Sequence, residues 1–326
     1  MRLLHHVLPI TVCAIVCFAI PAYGEESFPA KPVRLVSWSP PGGTVDVLAR
    51  MLAEKLARRW GQPVLVENKP GASGIIASDY VAKAAPDGHT LLITLTTTHV
   101  NLPLMRTDLP YQPVRDFAPV SLLALGSVVL IVSAGHPANS VPELIEWIRR
   151  NRPNGVSYGT WGVGTSSHLF GELLKLQSGL ALNHVPYKGD GLALMDVVNG
   201  SLAYSFAGGT TGRTQATAGK VKVLGLTGPR RLKALPGVST FAEQGMQGYD
   251  LAGWIGCFAP ARTPRAVVWK ISADMVNALQ SPDVLERLDN AAMGVVGSNP
   301  DEFAQLNQRE YPRWAELIRA SGATAE

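Results

Sequence analysis

Apolar residues recur along this chain at two spacings that take turns. Val45, Leu48, Leu52 and Leu56 stand three or four positions apart, as on one face of a helix. The same spacing returns at Ile75, Ile76 and Val81, at Leu144, Ile145 and Ile148, and at Leu169, Leu173 and Leu176. Short apolar blocks lie between and read as strands: Leu35-Val36, Val64 to Val66, Leu91 to Leu95, Val128 to Val132 and Val156 to Gly159. Further strands are expected at 184–187, 202–206, 221–227 and 251–258, and helices over about 264–280, 282–292 and 300–320. Strand and helix in alternation predict an α/β protein. Residues 96–119 fit neither spacing and are too long for an ordinary connection. They open with Thr96-Thr97-Thr98-His99 at the carboxyl end of a strand, where open α/β sheets bind ligands. Thr97 and Thr98 are therefore candidates for the distal part of a ligand, unless their hydroxyls serve the loop's own backbone.

Two junctions carry the chemistry. At 37–50 the strand runs into Pro40-Pro41-Gly42-Gly43 and then directly into a helix. The glycines let the chain turn sharply and let a ligand approach bare backbone. First-turn amides lack intrahelical acceptors and carry the positive end of the helix dipole, so such a junction seats an anion such as a carboxylate. A tight turn with no ligand is the competing reading. The second junction, Thr160 to His168, again joins strand, Gly/Ser/Thr loop and helix about 120 residues later. One seat in each half is what a ligand clamped between two lobes requires, and the pairing favours a ligand.

The N-terminus changes the domain count. Arg2, His5 and His6 precede the apolar stretch Val7 to Ile20, and Ala22-Tyr23-Gly24 is a small-x-small cleavage site, so residues 1–24 read as a cleaved signal peptide. Its removal takes Cys13 and Cys17 and leaves Cys257 alone, so no intrachain disulfide is available. The roughly 300 mature residues favour two domains. A formal charge of +4 with no Lys/Arg-rich run argues against nucleic-acid binding.

Other chemistry is weaker. His168 and Glu172 have i, i+4 spacing on one helix face, but no third metal ligand stands near them in sequence. Ser166 and Ser167 beside His168 suggest an exported serine hydrolase as the alternative function, yet there is no Gly-x-Ser-x-Gly elbow and no obvious orienting acid. Gly162-Val163-Gly164 lacks the third glycine of a dinucleotide fingerprint. Asp46, in a first helical turn, is read as a partner for main-chain amides and the dipole, and the His168 ring as a brace for its loop. Lys188 either reaches a cleft or salt-bridges at the surface.

An ordered set of segments gives the chain a family resemblance. They include Pro41-Gly42-Gly43-x-x-Asp46, Gly61-Gln62-Pro63-Val64, Val66-Glu67-Asn68-Lys69-Pro70-Gly71-Ala72, Ala85-Pro86-Asp87-Gly88 and Asp116-Phe117-Ala118-Pro119-Val120. Gly164-Thr165-Ser166-Ser167-His168-Leu169, His184-Val185-Pro186-Tyr187-Lys188-Gly189 and Ala259-Pro260-Ala261-x-Thr263-Pro264 follow in order. Together they resemble the extracytoplasmic solute receptors of tripartite tricarboxylate transporters, the Bug family. The resemblance implies a two-lobed, type II, flytrap-like periplasmic-binding-protein fold with a central ligand cleft. One domain would comprise 25–126 plus about 236–326, the other 127–235. It further implies a periplasmic, monomeric, non-enzymatic protein that needs no cofactor or metal. Its partners would be a small organic acid and, transiently, a membrane permease. The ligand set expected on this basis is Ser39, Pro41, Gly42, Gly43, Thr44 and Asp46 from the first loop, with Thr97 and Thr98. Thr160, Trp161, Gly164, Thr165, Ser166 and His168 come from the second loop, and Ala207 and Gly208 from the end of a later strand. The chain departs from the family at Trp38-Ser39, at Trp161 and Val163, and at Ala207-Gly208-Gly209, which points to a larger, less polar ligand, such as an aromatic acid, stacked on Trp161. The competing reading packs Trp161 on protein.

Overall fold

Eleven strands form among the described residues: β1 (Val33–Ser37), β2 (Val64–Asn68), β3 (Thr90–Leu95), β4 (Phe117–Gly126), β5 (Val128–Ser133), β6 (Val156–Thr160), β7 (Leu182–Pro186), β8 (Tyr204–Gly208), β9 (Val221–Leu226), β10 (Gly253–Pro260) and β11 (Met293–Val295). This computed structural model describes residues 28–290 and 292–322. The expected signal segment 1–24, with Cys13 and Cys17, lies outside them. No described helix is long and apolar enough to cross a membrane.

The strands make two sheets. One has the order β11-β4-β10-β3-β1-β2, with β1 parallel to β2 and β3, and β10 antiparallel to β3 and β4. The other runs β7-β6-β8-β5-β9, with β6 parallel to β7 and β8, and β5 antiparallel to β8 and β9. The result is the two-lobed α/β fold that the resemblance implies. The chain passes from the first sheet to the second at Ser127, between β4 and β5. The return lies later than the expected boundary near 236. Phe241 donates its amide to Leu226 O (3.0 Å), Gln244 Nε2 donates to Leu224 O (2.8 Å), and Val141 donates its amide to Gln244 Oε1 (2.8 Å), so residues 239–246 belong to the second sheet's hydrogen-bond network.

The helical spacing has its physical cause in the first lobe. Val45, Leu48, Leu52 and Leu56 are buried on the helix Thr44–Trp60, in one cluster with Val33, Leu35, Leu91, Ile93 and buried Cys257. The opposite face of β1, with Val36, joins a second cluster that continues through both lobes. At that junction Phe170 of the second lobe lies 5.6 Å from Tyr249 and 6.1 Å from Trp314, ring centre to ring centre. Aromatic rings of this size bury large apolar areas, here where the lobes meet.

A candidate anion site at the junction of the lobes

The first loop is braced from within. The Asp46 carboxylate is buried and accepts from the Gly42 amide (2.8 Å), from Arg50 Nε (2.9 Å) and from Asn68 Nδ2 (2.7 Å). Burial pushes its pKa up, but the hydrogen bonds from Arg50, Asn68 and Gly42 outweigh this and hold it below the ordinary carboxylate value. Ser39, also buried, accepts the Asp46 amide on Oγ (3.0 Å), and the Gly43 amide donates to Pro40 O (3.1 Å). The amides of Gly42, Gly43 and Asp46 therefore have acceptors inside the protein, which corrects the expectation that the glycine pair offers them to a ligand. The N-cap residue Gly43 has no side chain and Ser39 Oγ covers only the Asp46 amide, so the remaining first-turn amides are those of Thr44 and Val45. Pro41 and Gly42 form the exposed tip, with Gly42 at φ 81°, a left-handed value that suits glycine.

The second loop is built the same way. Thr160 Oγ1 lies 2.7 Å from His184 Nε2 and accepts the Gly162 amide (3.3 Å). The Trp161 amide donates to Ser167 Oγ (3.4 Å), Thr165 Oγ1 donates to Gly162 O (2.7 Å), and the Gly164 amide donates to His168 Nδ1 (3.2 Å). So the His168 ring braces its loop, and the Gly164 amide is engaged. His168 stacks on His184 with centroids 4.1 Å apart. Burial lowers the His168 pKa; burial, with His168 and Lys175 nearby, lowers that of His184 to about 3. The helix Ser166–Ser178 also starts without a side-chain cap, leaving the Ser166, Ser167 and His168 amides as its open donors. Neither Ser166 nor Ser167 is hydrogen-bonded to the His168 ring: Ser167 Oγ faces Thr165 Oγ1 at 2.8 Å, and His168 Nδ1 takes the Gly164 amide. Trp161 is half-buried and packs against the core shared by the lobes.

Residues 97–101 connect these loops. They form a π-helical turn between β3 and a short helix, with Thr97 and Thr98 buried. The Thr98 hydroxyl meets Thr94 Oγ1 (2.8 Å), Leu95 O (3.1 Å) and His99 Nδ1 (2.8 Å), so it serves the protein's own structure and is corrected as a ligand candidate. The Thr97 hydroxyl has no such partner among the described residues. A Cβ on Gly74 would lie 2.4 Å from Thr98 Cγ2 and 3.4 Å from Trp38 Cβ, which places the turn against the first loop. Asn101 Nδ2 donates to Gly164 O (3.1 Å), which ties it to the second loop, and a Cβ on Gly253 of β10 would lie 3.3 Å from Ser166 Oγ. The second loop thus sits against the carboxyl edge of the first sheet. Ala207 and Gly208 end β8, whose parallel register with β6 (Gly159 opposite Ser205) sets them at the same sheet edge as the second loop, and the Gly208 amide donates to Asp190 Oδ2 (2.9 Å), so an internal carboxylate holds the start of the helix Gly209–Thr217.

Sequence reasoning passed over Asn101 and Asp190 as site-forming residues, and noted Trp38 only as a family departure. Asn101 had a readable signal, an amide side chain inside a Thr-rich turn after a buried strand. Asp190 had none, because its acceptor role joins residues 18 apart across a strand. The Trp38 indole Nε1 is buried with no acceptor among the described residues.

Comparison with known proteins agrees with this architecture. The family model described as tripartite tricarboxylate transporter family receptor matches residues 48–323. A protein from the tcbD-tcbE intergenic region of Pseudomonas sp. (strain P51) is 39% identical over 294 residues, covering 90% of this chain and 87% of the relative. A Rhodopseudomonas palustris protein solved with adipate superposes with a TM-score of 0.85 at 31% identity, covering 91% of this chain and 99% of its own. MatC from the same organism, solved with bound malate, gives 0.80 at 32% identity, covering 89% and 100%. The chain belongs to the tripartite tricarboxylate transporter family of receptors.

Proposed function

We propose that this protein captures a small organic carboxylate between its lobes and releases it unchanged. The observation that carries this reading is the pair of helix starts, at Thr44 and at Ser166, that keep open first-turn amides because their N-cap residues Gly43 and Thr165 do not cap them, on two loops joined through residues 97–101. Open first-turn amides favour an anion at both places, by charge as well as by hydrogen bonds. The Thr44 and Val45 amides from one lobe and the Ser166, Ser167 and His168 amides from the other would hold the carboxylate, with the Thr97 hydroxyl and Trp161 towards its far end. The relatives solved with adipate and malate support the chemical class. The lobes are taken as 28–126 with about 247–322, and 127–246. On this reading the leader 1–24 is removed, the monomer works in the periplasm, and a tripartite-type permease receives the ligand.

Native mass spectrometry of freshly purified mature protein tests the proposal. A retained small acid, with a saturable thermal shift on adding organic acids and no turnover, is expected. Ester hydrolysis that disappears in Ser166→Ala would overturn it in favour of an enzyme.

A further inference from the structure

We infer that Asn101 reads a hydrogen-bond donor on the ligand, so that the captured acid bears a hydroxyl or amino group on the carbon next to its carboxylate. This rests on the carboxylate reading above and narrows it. Asn101 is fully buried in the turn of the first lobe, and its Nδ2 reaches across the junction to Gly164 O at 3.1 Å. That bond fixes the orientation of the side-chain amide, because a flipped amide would set oxygen against oxygen. Oδ1 is thereby defined as an acceptor, and no donor reaches it from the described residues. Protein interiors rarely leave such an oxygen unpaired. Oδ1 and Nδ2 share one carbon, so the open acceptor lies at the same seam as Gly164. The Gly164 amide is turned away to His168 Nδ1, and the open amides of the helix begin two residues later. A carboxylate seated on those amides brings its neighbouring carbon to the seam. A donor on that carbon meets Oδ1; a hydrogen there leaves Oδ1 buried and unpaired, which penalises the unsubstituted acid.

The test is calorimetric titration of the mature protein with acids that differ only at that carbon: malate and aspartate against succinate, and mandelate against phenylacetate. The substituted member of at least one set is expected to bind tenfold or more tightly, about 1.4 kcal/mol. Malate against aspartate then tells a hydroxyl reader from an amino reader. Asn101→Leu, similar in volume but without the acceptor, is expected to bring the ratio close to one. Equal affinities within every set in the wild-type protein overturn the inference and leave carboxylate capture standing, and so does a preference that survives in Asn101→Leu. A protein that binds none of the five overturns the inference, while carboxylate capture then stands or falls on the acid retained in native mass spectrometry. Where Asn101→Leu does not fold, Asn101→Ala carries the same expectation, and equal wild-type ratios overturn the inference without any variant.

Discussion

Thr165→Asp puts the second anion seat to its hardest test, and the protein already contains the precedent. Asp190 lays a carboxylate on the Gly208 amide at the start of one helix. Thr165 is the N-cap residue of Ser166–Ser178, as Gly208 is of Gly209–Thr217, with extended backbone (φ −78°, ψ 162°) and a side chain that does not cap. An aspartate there accepts from the Ser167 or His168 amide. The change gives up the donation of Thr165 Oγ1 to Gly162 O, about 1 kcal/mol. It gains a cap of about 1 kcal/mol and about 0.5 kcal/mol from the dipole. Stability is therefore expected within about 1 kcal/mol of wild type. Binding is not: two carboxylates about 4 Å apart repel by about 4 kcal/mol at an effective dielectric constant near 20. Even half of that weakens a carboxylate ligand about 30-fold. Calorimetry with malate, adipate or the retained acid, run beside a thermal melt, measures both quantities. Thr165→Asn caps without the charge and separates amide occupancy from repulsion. A Thr165→Asp protein that melts normally and binds within threefold of wild type would refute the placement of the carboxylate on this helix.

Asp46→Ala removes the shared acceptor of Gly42, Asn68 and Arg50. Arg50 is 54% exposed and contributes little, while the other two bonds contribute about 1.5 kcal/mol each, so urea denaturation should show a loss near 3 kcal/mol and under 1 contradicts the account. Because the Asp46 carboxyl is held below its ordinary value, its contribution is present above the unfolded-state value and is lost as pH falls through the lowered one; denaturation midpoints of wild type and Asp46→Asn should converge in acid. His184 also ionises low, near 3, so between about 6.5 and 3 the unfolded chain takes up a proton that the folded chain refuses. Stability should fall with pH across that window, and His184→Asn should flatten the fall. Gly74→Ala adds a Cβ at φ 94° only 2.4 Å from Thr98 Cγ2, and is expected to cost about 3 kcal/mol in a denaturation titration.

Local rules carried much of the fold. The helix from Thr44 was legible because one face must bury Val45, Leu48, Leu52 and Leu56. The bracing roles of Asp46 and His168 were legible too, since each reaches an amide only four residues away. β4 escaped notice: flanked by β10 and β11, its mostly buried residues feed both core clusters, and it carries Pro119, so it shows neither alternation nor a clean apolar block. The return crossing could be set only at about 236, because the bond from Gln244 to Leu224 that ties this stretch to the second sheet spans 20 residues.

From the sequence alone came the alternation of strand and helix, the two glycine-bearing junctions and the family, because each is written in residues close together in the chain. Which amides at those junctions stay open was decided only in three dimensions. Local acceptors such as Asp46 and His168 could be read from spacing, but Asp190 for Gly208 and Gly164 for Asn101 arrive from other elements, and those hydrogen bonds are settled by distance in space, not by position along the chain.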